Sequence, residues 1–485
     1  MLTAAIVASA MGFIDGSVLA VAIPQLRADL GASFVEVQWI SNAYMLFLAA
    51  FMLIGGGLGD RYGIRRVFAV GICIFVVASL LCSIVQSASA LIWARAFQGF
   101  GAAIMVPGSM ALIARNIPED ERGSAMGIWV AASAITTALG PLIGSLILQY
   151  GGDAAWRWIF VLNLPLGIFA LSALLGFVPR DLPRQNTPLD WLGSLLLMIA
   201  MASLAAGLTF LAEPEPFLPP VPLLIIFAIS VVAAFIWERK TTHPMIDMRL
   251  FQSRSFAGAN ILTFLVWSGM GAVFFYLPMV LITAWQLSEI YAGAVLLPFA
   301  GVLAVLSPIA GRWADRAGVR LPLTFGPVIA ALAYLLIGAG LLMRSYWFGI
   351  LPGVVVLGVA MGLTASPLSN AVMLAVSQDK VGAASGINNM VARMSNLFAV
   401  AGLGALLTFI YSRYIRLTGL PADIQERMID LGFGERLTGP LYQVTIVDRQ
   451  ADGMSMALAG LCIVVACLCL MGSLTGFLTQ SKKQQ

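Results

Sequence analysis

The amino-acid sequence predicts an all-α membrane protein: fourteen transmembrane helices, forming two six-helix pseudo-symmetric bundles with two inserted helices between them. Three observations predict it. The 485 residues are 60% hydrophobic and 10% charged, with a mean hydropathy of +0.94; a soluble chain of this length needs far more charge to keep its surface wet. The apolar residues come in runs of about 18 or more, enough to cross a hydrocarbon core of roughly 30 Å as helix, without the alternating segments of a barrel. The third observation is an internal repeat, found once the spans are placed.

The runs put helices at 3–24, 38–59, 67–86, 91–113, 124–148, 158–178, 190–211, 220–238, 257–283, 291–311, 321–343, 347–376, 383–411 and 454–479. The first run ends without a small-residue cleavage site and reads as a span rather than a removed signal. A polar stretch, 412–453, precedes the last span; its Asp423, Glu426, Arg427 and Asp430 suggest a short amphipathic helix on the outer surface. A partner contact and a lid over an exit are both open for it.

Orientation follows from the basic residues. With the N-terminus inside, the cytoplasmic loops hold 17 of them: Arg61, Arg65, Arg66, Arg115, Arg122, Arg180, Arg184, Arg239, Lys240, Arg249, Arg254, Arg312, Arg316, Arg320, Lys380, Lys482 and Lys483. The opposite short loops hold Arg27, Arg157 and Arg344. Long loops count little in this rule, so both termini are expected in the cytoplasm and the protein in the inner (plasma) membrane. The net charge of +4 belongs to this topology, and no nucleic-acid partner is expected.

The repeat joins the halves. Gly56-Gly57-Leu58-Gly59-Asp60-Arg61-Tyr62-Gly63-Ile64-Arg65 returns as Gly311-Arg312-Trp313-Ala314-Asp315-Arg316-Ala317-Gly318-Val319-Arg320, an offset of 315 − 60 = 255. Arg122-Gly123-Ser124-Ala125-Met126-Gly127-Ile128 is echoed by Val381-Gly382-Ala383-Ala384-Ser385-Gly386-Ile387. The first pair joins spans 2–3 and 10–11, the second spans 4–5 and 12–13. The numbering therefore shifts by eight: six helices per repeat and two inserted. The expected domains are 1–178, the inserted pair 190–238, and 257–479 including the outer loop 412–453. An even insertion keeps both halves in one orientation, the parallel-repeat design in which two bundles rock about a central site. Taken singly, each Asp-Arg loop is an ordinary cytoplasmic charge cluster. As a matched pair, Gly56, Asp60, Arg61, Gly63 and Arg65 with Gly311, Asp315, Arg316, Gly318 and Arg320 read as a conformational latch: glycines for tight turns, and an acid that caps a helix or pairs with arginine in one state.

At these loops, and through nearly its whole length, the chain resembles the major facilitator superfamily, and its fourteen spans resemble that superfamily's drug:proton antiporter branch. Phe13-Ile14-Asp15-Gly16-Ser17-Val18 through Ala22-Ile23-Pro24 resembles the acidic motif of the first helix. Arg95-Ala96-Phe97-Gln98-Gly99-Phe100-Gly101-Ala102 is similar to the helix-4 motif, whose arginine is implicated in proton coupling. Gly140-Pro141-Leu142-Ile143-Gly144 resembles the helix-5 motif of antiporters, although Thr136 and Ser145 stand where glycines are usual. Trp156-Arg157-Trp158-Ile159-Phe160 with Asn163, Pro165 and Gly167 is also typical. Ile64 replaces a usual arginine in the first latch loop, and Met394 and Ser395 follow Arg393 where glutamine and glycine are expected nearby. The resemblance implies proton-coupled efflux of amphipathic small molecules by alternating access. A proline kink alone accounts for Pro141 as well, and Gly140 with Gly144 makes a small-residue face for close helix packing.

Ionisable groups inside a bilayer are costly and are functional candidates by default. Of the 23 acids, only Asp15 lies well inside a span; of the bases, only Arg95 and Arg393. Asp15 is either a structural partner of an arginine or a proton carrier. The resemblance puts helices 1 and 4 around the central cavity, so that Asp15 and Arg95 could meet. Burial favours the neutral acid and a nearby arginine the carboxylate, so access of water or substrate would tip its protonation between states. One buried acid against two arginines suits monocations, neutral compounds or anions better than dications. Asn42, Gln98, Asn163, Asn370, Asn388, Asn389 and Arg393 are cavity candidates for hydrogen bonding. Trp267, Phe274, Phe275 and Tyr276 are candidates for stacking, unless they simply pack or face lipid.

The expected partners are a small-molecule substrate, protons and the lipid bilayer; a periplasmic partner is left open. No cofactor or metal is expected. The single histidine, His243, has no Cys or His at ligand spacing, and no phosphate-binding loop occurs. The cysteines Cys73, Cys82, Cys462, Cys467 and Cys469 all fall inside spans, which indicates no disulfide framework. A polytopic membrane enzyme would want paired acids or a nucleophile and base at one membrane face; Pro118-Glu119-Asp120-Glu121 reads better as a helix start. A dedicated exporter of a metabolite, lipid-like molecule or siderophore, or even an importer, remains the alternative within transport.

Overall fold

The computed structural model describes residues 2–476 except 118, 153, 180–189, 212–217, 243, 245, 377–380 and 435–443, with some side chains within helices also outside the description. His243 and the side chains of Asp60, Asp315 and the 119–121 run fall outside it. Among the described residues the secondary structure is helical throughout: α1 Leu2–Leu30, α2 Phe34–Tyr62, α3 Ile64–Ile84, α4 Ala88–Asn116, α5 Glu119–Tyr150, α6 Trp156–Val161, α7 Asn163–Phe177, α8 Trp191–Leu211, α9 Pro220–Lys240, α10 Arg254–Thr283, α11 Glu289–Ala294, α12 Leu297–Ala317, α13 Arg320–Leu342, α14 Leu351–Leu374, α15 Val381–Arg416, α16 Ala422–Leu431 and α17 Val444–Gly476. Thirteen stretches are long and apolar enough to cross a membrane, and α5 adds the apolar segment Ile135–Tyr150. Those stretches correspond to the fourteen spans expected. Span 6 is α6 with α7, broken at Leu162; span 10 is α11 with α12; and a π-helical turn, Tyr346–Ile350, leads into α14.

The helix ends follow their local chemistry. Ser33 and Glu36 form a reciprocal capping box at the start of α2, Ser33 N donating to Glu36 Oε2 at 2.9 Å and Glu36 N to Ser33 Oγ at 3.2 Å. Ser87 caps α4 and Ser253 caps α10, each accepting a backbone N–H at 3.3 Å. Arg157 stacks over Trp156 at 4.4 Å and donates to the Ser83 and Val85 carbonyls at the end of α3. The Trp-Arg pair thereby closes a helix terminus that would otherwise leave carbonyls unpaired.

The last helix departs from the sequence expectation. It begins at Val444 rather than 454, because Asp448, Arg449 and Asp452 lower the hydropathy of its first turns without interrupting their helical hydrogen bonding. Arg344, at the end of α13, pairs with Asp452 at 2.9 Å.

The chain separates into two compact units. One contains Met1–Leu19, Trp39–Gly207 and Pro219–Met248; the other contains Ala20–Gln38, Leu208–Leu218 and Arg249–Gln485. The division cuts α1, α2 and α8, and also falls between α8 and α9 and between α9 and α10.

In the first unit α3 lies along α4 and α7. A methyl group on Gly71 would come within 2.9 Å of Met105 N, and one on Gly101 within 2.7 Å of Phe75 N, so these glycines permit a backbone-to-backbone approach that any other residue would block. Phe68, Ile72, Phe75, Met105 and Leu174 are part of the buried core there. The inserted helices α8 and α9 are tied by Asp190, whose Oδ1 accepts from Gly193 N and Trp237 Nε1, both at 2.8 Å.

In the second unit α13 packs along α14 and α17, and α10 along α15 and α17. Tyr334, Ile337, Val465 and Cys462 are buried in this bundle.

The two copies of the repeated Asp-Arg loop turn on glycines of similar backbone. Gly63, between α2 and α3, has φ 92° and ψ 131°; Gly318, between α12 and α13, has φ 89° and ψ 161°. This conformation is open almost only to glycine, which explains why that position repeats while the residue just before it changes from Tyr62 to Ala317 without loss of the turn.

Candidate functional site

A closed polar network lies in the apolar interior of the first unit. Asp15, in α1, is 1% exposed and is flanked on its own helix by buried Ile14, Val18 and Leu19. α4 brings Arg95 and, one turn later, Gln98 to the same place; both are buried. The Arg95 guanidinium makes a salt bridge to Asp15 Oδ2. Its Nη1 also donates to Gln98 Oε1 at 2.6 Å and its Nε to the Ile40 carbonyl of α2 at 3.3 Å. The guanidinium carbon lies 4.4 Å from the Tyr44 ring centre and 5.7 Å from that of Phe160, close enough for cation–π attraction in a desolvated site.

The other carboxylate oxygen is held by amides. Gln98 Nε2 donates to Asp15 Oδ1 at 2.8 Å and to Ser79 Oγ at 2.8 Å. Asn163 Nδ2 donates to the same two atoms, at 3.3 and 3.2 Å. Cys82 Sγ reaches Gln98 Oε1 at 3.8 Å. The described contacts to Asp15 therefore all come from donors: guanidinium on one oxygen, two amides on the other. That arrangement suits an ionised carboxylate. Protonating Asp15 would take away the charge that strengthens these contacts.

The helix-5 motif borders the site. A methyl group on Gly140 would overlap Ser17 Oγ and come within 3.2 Å of the Ile14 carbonyl, so α5 approaches α1 on either side of Asp15 only because this residue is glycine. Pro141 and Gly144 are buried beside it, and Ser145 Oγ donates to the Pro141 carbonyl at 2.7 Å. On the same helix, Trp129 Nε1 donates to Ser9 Oγ of α1 at 3.0 Å, and its ring meets Phe13 edge-on.

Of the residues singled out in the sequence, Asp15, Arg95, Gln98 and Asn163 come together. Asn42 is fully buried in α2, and among the described residues neither of its amide atoms has a hydrogen-bond partner. Asn388 belongs to a separate cluster in the second unit, donating to Asn260 Oδ1 at 3.2 Å and Thr263 Oγ1 at 2.7 Å. Asn370 in α14 and Arg393 in α15 are half-buried in that unit. Tyr276 is fully buried; its hydroxyl donates to the Val400 carbonyl at 2.6 Å and accepts from Gln38 Nε2 at 3.0 Å. In the first Asp-Arg loop Arg65 donates to the Leu175 carbonyl at 2.7 Å and Arg61 lies over Tyr62; Gly311 packs against Ser366 in the second unit. Sequence reasoning missed Ser79, Cys82 and Tyr44. Small polar residues and tyrosines are too common in membrane helices to stand out without a partner.

The sequence profile described as Major Facilitator Superfamily matches residues 5–400. The chain is 30% identical over 418 residues to the multidrug resistance protein B homolog of Mycobacterium tuberculosis, covering 84% of this chain and 76% of that protein. It is 32% identical over 374 residues to the riboflavin transporter RibZ of Clostridioides difficile, covering 77% of this chain and 80% of that one. Among solved structures, a D-xylose-proton symporter superposes with a TM-score of 0.65 at 14% identity, covering 100% of this chain and 98% of that chain. At that identity the likeness concerns the fold alone.

Proposed function

Because the chain belongs to the Major Facilitator Superfamily and is a multi-pass membrane protein, we propose that it exports amphipathic small molecules in exchange for protons, by alternating access, with Asp15 as the proton carrier. The observation that carries this reading is the donor-only environment of Asp15. Protonating a carboxylate held by three side chains from α4 and α7 removes the charge that strengthens those bonds, and so weakens its hold on them. Protonation and helix rearrangement are thereby linked, which is what an exchanger requires: the proton and the substrate compete for states of one group. The relative named a multidrug resistance protein supports export of this substrate class.

In this reading Arg95 stabilises the charged carboxylate and Gln98 and Asn163 orient it. Gly140, Pro141 and Gly144 seal α5 against α1. The matched glycine turns at Gly63 and Gly318 are hinges of the latch, with Gly56, Asp60, Arg61, Arg65, Gly311, Asp315, Arg316 and Arg320 making and breaking contacts as the halves, 1–178 and 257–479, rock. Asn42, Asn370, Asn388 and Arg393 are the candidates for substrate contact in this reading. The basic residues place both termini in the cytoplasm and the chain in the plasma membrane.

A second reading has a specific observation in its favour. The riboflavin transporter is as similar as the multidrug protein, so a single flat metabolite is the alternative substrate. Efflux of a fluorescent monocation from cells, with and without an uncoupler, tests the proposal. Export that collapses with the proton gradient supports it. Export that ignores the uncoupler removes the proton coupling, and failure to move any cationic dye leaves the metabolite reading.

A further inference from the structure

The segment after α15 is bound to the chain at five places, all within the second unit. Arg27, at the end of α1 and 5% exposed, donates Nη1 to the Phe433 carbonyl at 3.0 Å and Nη2 to the Leu431 carbonyl at 3.2 Å, while its Nε holds the Ala32 carbonyl at 3.1 Å. The Phe433 ring is fully buried among Phe34, Tyr276 and Tyr411, at 5.9, 6.2 and 5.7 Å between ring centres. Gly434 accepts from Thr283 Oγ1 at 3.4 Å, and a methyl group on it would strike Met279 of α10. Met428 of α16 is fully buried. Beneath this plug, Gln38 Nε2 donates to Tyr276 Oη at 3.0 Å and to the Val400 carbonyl at 3.1 Å.

Glycine turns bound the plug on both sides. Gly432 and Gly434 have φ of 77° and 86° on either side of Phe433, and Gly419 has 70° before α16. The element thus carries backbone at both ends that a side-chain-bearing residue would resist. Among the described residues its attachments are the hydrogen bonds from Arg27 and Thr283, the Phe433 ring and the buried Met428. The basic-residue count puts this end of α1, α2 and α10 on the outer side of the membrane.

We propose that α16 and the Gly432–Phe433–Gly434 turn are a lid over the outer exit, with Arg27 as its latch and the Phe34, Tyr276 and Tyr411 rings as its seat. In the closed form the lid holds the end of α1 through Arg27 and packs on Phe34 of α2, Tyr276 of α10 and Tyr411 of α15. For substrate to leave on this side, Phe433 must withdraw and the Arg27 fork must release two carbonyls together. Guanidinium geometry suits such a two-point hold better than an ammonium does. The lid needs only that the protein transports something; it does not depend on Asp15 carrying the proton.

A reversible lock tests it. A Cβ on Gly432 lies 3.6 Å from that of Phe34, inside the roughly 3.5–4.5 Å spanned by a disulfide. The double variant Phe34→Cys, Gly432→Cys, reconstituted in vesicles, is assayed for exchange of a fluorescent monocation in both directions, oxidised and then reduced. The expected result is a cross-link that forms, a loss of exchange of at least about tenfold when the lid is held, and recovery on reduction, with each single variant indifferent to oxidant. Exchange that continues in the cross-linked protein overturns the lid, as does failure to cross-link. If the reduced double variant is itself inactive, hydrogen exchange of the unaltered protein decides. Amides of 422–434 should lose protection during turnover relative to the idle protein; unchanged protection overturns the proposal. Because the readout is exchange in either direction, a block by oxidation stands even if an Asp15 variant proves to keep its proton coupling.

Discussion

Gln98 touches both ends of the Asp15–Arg95 pair: its amide nitrogen donates to Asp15 at 2.8 Å while its oxygen accepts from Arg95 at 2.6 Å. One side chain thus satisfies the acid and the base at once, in an orientation that a flip of the amide would turn into two repulsions. The site has a sense built into it, and the consequences can be measured.

Removing Arg95 leaves a carboxylate buried among amides. Arg95→Ala is expected to lower thermal stability by about 3–5 kcal/mol, the usual cost of breaking a buried pair from one side. The double variant Asp15→Asn, Arg95→Ala should recover most of that loss, because no charge is stranded. Thermal unfolding in detergent of the two single variants and the double gives the coupling. Additive losses would show that the pair is not the unit described here.

Gln98→Leu deletes one hydrogen bond to Asp15, one to Ser79 and one from Arg95. Buried partners left unpaired cost about 1–3 kcal/mol each, so export should fall roughly tenfold or more while the protein still reaches the membrane. Export at the parental rate in a well-expressed variant would mean that Asp15 is held well enough without it.

Gly140→Ala places a methyl group on Ser17 Oγ and should force α5 away from α1. Loss of export is expected, with partial return in the double variant Gly140→Ala, Ser17→Gly, which removes the atom in the way. A Gly140→Ala protein with full export would show that the close approach of the two helices is dispensable.

The matched turns predict matched effects. Gly63→Ala and Gly318→Ala each force a side-chain-bearing residue to a φ near 90°, at about 1–3 kcal/mol apiece. Both should lower the unfolding temperature to a similar degree. A large effect at one and none at the other would break the equivalence of the two loops.

Much of this was legible in the sequence, for physical reasons that differ from part to part. Asp15, Arg95, Gln98 and Asn163 stand out because polar groups in hydrocarbon need partners, and they find them in each other. The Gly63 and Gly318 turns were readable because a backbone requirement for glycine survives in sequence as a glycine. Ser79 and Cys82 were not, since a serine or cysteine on a membrane helix carries no sign of what it faces. Arg27 was counted as an outer-loop charge but is buried in the last turn of α1, with its guanidinium on carbonyls that belong to a segment 404 and 406 residues away; no local pattern encodes such a contact. Tyr276 could be picked out as an aromatic in a span. Its bond to Gln38, 238 residues earlier, depends on how the chain comes together.

The most direct test of the central claim is the proton movement that accompanies export by the Asp15→Asn variant. In proteoliposomes with a pH-sensitive dye inside, addition of substrate to the parental protein should produce a pH change, and Asp15→Asn should abolish it while the variant remains folded and still binds substrate. A variant that exports substrate against its gradient and moves protons at the parental rate would contradict the account.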